Sequence, residues 1–191
     1  MSLRERKKLK THRSIQLEAL RLFRAQGFDE TTVEEIAAAA EVSPTTFFRY
    51  FPTKEDVVLH DALDPLFYAA FEAQSPELSS TEAFRRATHE VYSGLSAEES
   101  ADELERQELI RTTPELWGRM LADMTTTLAQ FTAAIARRSG RDEHDIAVLT
   151  LAGAAMGAAI AIWLAQPVDT VDGFLERYEA ALAQLEAGLD L

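Results

Sequence analysis

The sequence contains no cysteine. This excludes disulfides and thiolate metal sites and fits a reducing compartment. Proline and glycine are scarce, at 6 and 8 of 191 residues. Few positions therefore break a helix, while the many Ala, Leu and Glu residues favour one. No run alternates apolar and polar residues as a half-buried strand does, and no segment repeats another. No GxSxG, phosphate-binding loop or HExxH is present, so no catalytic residue, cofactor or metal is expected. Histidine occurs four times, at His12, His60, His89 and His144. His60 and Asp64 would share a helix face and could grip a metal, but no third ligand is apparent. The basic N-terminus MSLRERKKLK is not followed by an apolar core. No export signal is expected, and the chain reads as cytoplasmic.

Lysine is also absent beyond Lys54. The net charge of −13 argues at first against nucleic acid, but its distribution reverses that impression. Residues 1–60 hold ten Lys/Arg against nine Asp/Glu, and residues 61–191 hold nine against 23. Six cations (Arg4, Arg6, Lys7, Lys8, Lys10, Arg13) and one acid (Glu5) fall within the first 13 residues. A DNA-facing head on an acidic body is one reading of this asymmetry; a solvated basic tail is the other. With 47% apolar and 27% charged residues the balance is that of a globular protein.

What is present is helical periodicity. Ile15, Ala19, Leu22 and Phe23 mark an amphipathic helix over residues 11–26, stopped by Gly27. Thr31-Thr32-Val33-Glu34 reads as a capping box with Thr31 as the cap. A second helix of about ten residues follows through Val33, Ile36, Ala37 and Ala40. Ser43-Pro44 opens a third helix with Ser43 as N-cap and Pro44 at the first position. It ends at Phe51, which Pro52 biases away from helix. Thr53 caps a long fourth helix from about Lys54, which Pro65 should kink or end near Asp64. Further helices are expected at roughly 81–96, 98–112, 114–138, 142–165 and 170–188. The fold class is therefore all-α with about nine helices.

A link of a few residues between the second and third helices is helix-turn-helix geometry. A helix starting at Pro44 turns Phe47 and Phe51 to one face, for packing inward with Val42. Thr45, Phe48 and Arg49 fall on the other face, with Thr46 and Tyr50 on a flank. Arg49 can donate two parallel bonds to guanine O6 and N7, and Thr45 and Phe48 can touch thymine methyls. The hydroxyls of Thr32, Thr46 and Tyr50 and the Lys54 ammonium suit phosphates. The DNA-facing set is thus Thr32, Pro44, Thr45, Thr46, Phe48, Arg49, Tyr50 and Lys54. From spacing and charge alone, the alternative is a helical interaction module with no sequence-specific DNA role.

Four motifs stand in order over residues 9–60: an apolar helix ending in AQGF, then TTVEEIA, then VSPTTFFRYF, then TKED. This run resembles the DNA-binding domain of the TetR family of transcriptional repressors. The resemblance implies an all-helical homodimer whose C-terminal domain binds a small ligand and thereby controls DNA affinity. It implies DNA contacts at Thr32, Thr45, Thr46, Phe48, Arg49, Tyr50 and Lys54. It divides the chain into a DNA-binding domain (residues 1–58) and a ligand-binding and dimerisation domain (residues 59–191). Two residues depart from the pattern. Phe48 stands where tyrosine is frequent, so contact there must be apolar. Glu41 stands where glycine is frequent, which should alter the turn. More loosely, PELSSTEAFRRA and RTTPELWGRM are similar to an actinobacterial subgroup with acyl-CoA-type ligands.

Residues 146–165 carry no charge, have the length of a bilayer span, and include the close-packing motif Gly153-x-x-x-Gly157. Against a span, half the segment is Ala, Gly or Thr, and neither flank (RDEHD, QPVDTVD) carries a cationic cluster. A helix buried between its own domain and a second subunit accounts for the pattern better. The expected dimer surface is Gly153, Gly157, Ile160, Phe174, Tyr178 and Leu182, forming a four-helix bundle with the partner. Such a dimer would set two recognition helices about 34–36 Å apart on a palindromic operator. Tyr92, Arg111, Trp117, Met120, Met124 and Trp163 are the candidate ligand-binding residues, with Arg111 able to meet an anionic group.

Overall fold

The computed structural model describes residues 3–165 and 170–188, and the side chains from residue 6 onward. The side chain of Arg4, one of the six N-terminal cations, and the flank at 166–169 lie outside that description. The described residues form ten α-helices and no strand: α1 (Leu3–Gln26), α2 (Val33–Ala39), α3 (Pro44–Tyr50), α4 (Lys54–Leu59), α5 (Asp64–Ala73), α6 (Ser80–Ser93), α7 (Ala97–Thr112), α8 (Pro114–Ser139), α9 (Ile146–Ala165) and α10 (Val171–Ala187). The chain divides into two compact units. The first holds residues up to Asp61 together with Glu105–Met120; the second holds Ala62–Leu104 and the residues from Leu121 onward.

Helix ends follow local chemistry. Gly27, at φ 91°, closes α1 by donating its N–H to the Phe23 carbonyl at 2.8 Å, a left-handed C-cap that glycine adopts without steric cost. Upstream, α1 begins at Leu3 rather than near residue 11. No proline or glycine precedes Gly27, and Lys, Arg and Leu are good helix formers. The cap of α2 is Thr32, one residue later than the sequence reading placed it. Thr32 Oγ1 accepts from the Glu35 N–H, and the Glu35 carboxylate accepts from the Thr32 N–H at 2.9 Å. Thr31 is unavailable as a cap because it is buried and donates its hydroxyl to the Gly27 carbonyl at 2.7 Å. Thr53 and Asp56 form the capping box of α4.

The long fourth helix is two helices, which raises the count from about nine to ten. Helix α4 stops at Leu59, His60 takes an extended ψ of 114°, and α5 starts at Asp64 with Pro65 in its first turn. A proline ring inside a continuous helix would collide with the carbonyl four residues earlier, whereas the first turn has no such constraint. His60 and Asp64 therefore share no helix face.

The first unit buries Ile15, Ala19 and Phe23 of α1, Ile36, Phe47, Val57 and Val58 of the next three helices, and Phe51 at the C-terminal cap of α3. Ile110 and Leu116 are buried in the stretch that joins this unit from later in the chain. The second unit is built around Phe67, Phe71, Phe84, Ile135, Val148, Ala152, Ala155, Tyr178 and Leu182. Arg138 braces it from within: the guanidinium donates to the carbonyls of Gln74 and Ser75 and lies over the Phe71 ring.

Candidate nucleic-acid interface

The turn between α2 and α3 is a closed helix C-cap. The Glu41 N–H donates to the Ala38 carbonyl at 3.1 Å and the Val42 N–H to the Ala37 carbonyl at 2.9 Å, the paired bonds of a Schellman motif. That motif needs a left-handed residue after the cap, and Glu41 supplies it at φ 55°. Ser43 then caps α3, accepting from the Thr46 N–H at 3.1 Å and donating to the Thr46 hydroxyl at 3.0 Å. Three residues after the left-handed turn, Pro44 thus starts a new helix in a fixed direction.

Helix α3 is anchored on one face and open on the other. Phe47 and Phe51 are 0% and 2% exposed, while Phe48 is 51% exposed. Pro44, Thr45 and Arg49 are exposed; Thr46 and Tyr50 are partly so. The two buried rings meet at a centroid distance of 6.0 Å, and Phe48 stands edge-on to Phe47 at 5.4 Å. The Arg49 guanidinium lies 5.5 Å from the Tyr50 ring centre, a contact that limits the wandering of a long side chain. Six of the eight expected contact residues therefore lie on or beside one short helix.

The other two residues are engaged within the protein. The Thr32 hydroxyl donates to the Glu35 carboxylate at 2.9 Å. The backbone and side-chain bonds from Thr32 hold the Glu35 carboxyl below the usual carboxylate range. The Lys54 ammonium reaches the carbonyls of Phe28 (2.7 Å), Thr31 (3.1 Å) and Asp29 (3.5 Å) and sits 4.3 Å from the Phe28 ring centre. It ties α4 to the loop between α1 and α2, where the sequence suggested only a phosphate contact.

Behind α3 the unit is held by groups that periodicity does not single out. The His12 ring lies 4.2 Å from Phe51, tilted, and 4.2 Å from His60, edge-on, and meets Tyr50 edge-on at 6.2 Å. Burial, then the neighbouring His60 and Lys8, push the His12 pKa down to about 4. His60 is lowered as well, first by burial. The Gln16 amide donates to the carbonyls of Val57 and His60. Buried Arg106 donates to the Val58 carbonyl and pairs with Asp61 at 2.8 Å. Arg119 pairs with Asp56 at 2.9 Å, and Arg24 with Glu105. The signal available in advance was weak: arginines within otherwise acidic α7, and the reach of long side chains.

The candidate ligand residues do not gather in one unit. Arg111, Trp117 and Met120 belong to the first; Tyr92, Met124 and Trp163 belong to the second. Arg111 grips Glu108 one turn back through two nitrogens. Tyr92 lies against the Phe174 ring, tilted, at 5.9 Å. Of the expected dimer surface, Tyr178 and Leu182 are core residues of their own chain: both are buried, and the Tyr178 hydroxyl donates to the Ala155 carbonyl at 3.1 Å. Phe174 is half-buried against Tyr178. Gly153 and Gly157 are exposed on α9, and a β-carbon at either would meet nothing within 4 Å.

The comparisons with known proteins agree with this geometry. Residues 17–60 match the family described as bacterial regulatory proteins, tetR family, and residues 78–190 match the MftR C-terminal domain. The chain is 38% identical over 150 residues to the HTH-type transcriptional regulator TcmR of Streptomyces glaucescens, covering 75% of this chain and 66% of that one. It is 29% identical over 178 residues to the putative mycofactocin biosynthesis transcriptional regulator MftR of Mycobacterium tuberculosis, covering 90% and 87%. The crystal structure of Thermus thermophilus FadR, a repressor in complex with lauroyl-CoA, superposes with a TM-score of 0.56 at 25% identity over 94% of this chain and 95% of that one. This family consists of DNA-binding regulators rather than enzymes. With a matching domain in each half and a helix-turn-helix ending in a half-exposed recognition helix, the chain belongs to the TetR family of bacterial regulatory proteins.

Proposed function

We propose that this protein is a cytoplasmic repressor that binds a palindromic operator as a homodimer and is released by a small apolar or acyl-type effector. The observation that carries the DNA reading is the division of α3: buried Phe47 and Phe51 fix the helix, while Thr45, Phe48 and Arg49 face outward. Arg49 reads guanine, and Phe48 and Thr45 lie against thymine methyls. The partly exposed, hydroxyl-bearing flank of Thr46 and Tyr50 sets register on phosphate. Residues 1–58 carry this role, and residues 59–191 carry effector binding and dimerisation. The lauroyl-CoA complex of the Thermus relative supports an acyl-type effector. The apolar face of α9 around Gly153, Gly157 and Ile160 supports the dimer, because small residues let two helices approach closely.

Arg49→Ala tests the reading. The variant should lose roughly 1–3 kcal/mol on the duplex that the wild-type protein selects from a random pool, and much less on random duplex. Binding measured across both DNAs checks it, and equal losses on the two would remove Arg49 from base recognition. Addition of lauroyl-CoA to the operator complex tests the effector class, with release expected.

A further inference from the structure

We propose that the N-terminal turns of α1 form a basic arm that holds the phosphate backbone flanking the operator, outside the base pairs faced by α3. This rests on the operator reading above and extends it. Helix α1 begins at Leu3, yet among its described side chains, from residue 6 onward, the first buried one is Ile15. Among residues 6–10, all exposed, four are cations: Arg6, Lys7, Lys8 and Lys10. Three of the four lysines in the chain are therefore here. Several long cations elsewhere in the same unit serve the fold instead: Arg24, Arg106 and Arg119 each face a carboxylate, and Lys54 holds three carbonyls.

The arm emerges beside the recognition helix. Lys8 lies one turn before His12, and His12 lies on the stripe continued by Ile15 and Ala19, which are buried. The His12 ring touches Phe51 at 4.2 Å and Tyr50 at 6.2 Å. The stripe that leads to Lys8 thus meets the C-terminal end of α3. At about 1.5 Å per residue, Leu3–Lys10 extends about 12 Å further, comparable with the width of a major groove, about 12 Å. With α3 in the groove, the arm lies along the adjoining backbone.

The chemistry selects DNA over other anionic surfaces. Residues 61–191 carry 23 acids against nine Lys/Arg, so the head is the part of the chain that a polyanion does not repel. An interfacial membrane helix needs an apolar face, and Leu9 is the one large apolar side chain in residues 6–10. Lysines on a solvated helix offer point charges without base readout, which is what a flanking phosphate contact requires.

The test uses the full chain and a duplex that it selects from a random pool. The duplex is either trimmed to the selected palindrome or flanked by about 10 base pairs, one helical turn, on each side. The variant Lys7→Gln/Lys8→Gln/Lys10→Gln is compared with wild type, and with a triple Lys→Arg variant that keeps the charge. On flanked duplex the slope of log affinity against log salt should fall by about 0.9 per lost contact, roughly 2–5 for a dimer, with the Arg variant like wild type. On trimmed duplex all three should coincide. Equal slopes on flanked duplex overturn the arm, and an equal fall on trimmed duplex places these lysines on the core site instead. A variant that keeps its DNA slope but loses binding to phosphatidylserine-containing vesicles assigns the segment to lipid and overturns the proposal. Failure of the operator reading is separately visible, because wild type would then select no sequence. Circular dichroism and melting of the Gln variant establish that it is folded.

Discussion

Glu41 occupies the one described non-glycine position with positive φ, 55°. There its β-carbon crowds the following carbonyl, at a cost of about 1–2 kcal/mol. Glycine avoids the clash but loses more backbone entropy on folding. Glu41→Gly should therefore stabilise the protein by about 1 kcal/mol, with Glu41→Asn in between. A higher urea midpoint at unchanged m-value checks this. Lys54 makes the opposite point. Its ammonium is occupied by three carbonyls and the Phe28 ring, so Lys54→Met should destabilise the fold by about 1–2 kcal/mol. The salt slope of DNA binding should stay unchanged in this variant; a drop of about 1 would return Lys54 to the phosphate contacts.

At the scale of elements, α1 and the ends of α3 and α4 meet at the His12–His60 ring pair. Lys8 on α1, Arg106 on α7 and Asp61 after α4 are the charges that act on the pair. A histidine whose folded pKa lies below its unfolded value stabilises the fold while neutral. That stability is present above about pH 6.5 and is lost as pH falls through this value towards about 4. His12 is only half-buried, so screening leaves about 1–2 kcal/mol of it. Melting temperature should fall between pH 7 and pH 4.5, and His12→Phe, which keeps a ring but cannot take a proton, should flatten that fall. Cap chemistry was legible at this scale for α3 and α4, where Ser43, Pro44 and Thr53 stand as the sequence suggests. It slipped by one residue at α2. Thr31 and Thr32 are locally equivalent, and only the burial of Thr31 against the Gly27 carbonyl distinguishes them.

At the scale of the whole molecule, α9 is long and apolar enough to cross a membrane by length and composition, with a mean hydropathy of 2.1. One of its faces nevertheless packs Val148, Ala152 and Ala155 into the core of its unit. The face opposite carries Leu149, Gly153 and Gly157, all exposed. Because a β-carbon at Gly157 meets nothing within 4 Å among the described residues, Gly157→Leu should leave the monomer fold intact and shift a dimer towards monomer in sedimentation velocity. An unchanged dimer would move the interface off this face. The sequence by itself determined the all-helical class, the caps at Ser43 and Thr53, the stop at Gly27 and the two-faced recognition helix. Each of these depends on residues within a turn or two of one another, where periodicity and capping chemistry act. Tertiary structure alone decided that Lys54 braces a loop, that Tyr178 and Leu182 are core, and that Glu105–Met120 belongs with the head. Those outcomes turn on which distant carbonyl, ring or carboxylate a side chain meets once the chain has folded, and nothing in its sequence neighbours records that.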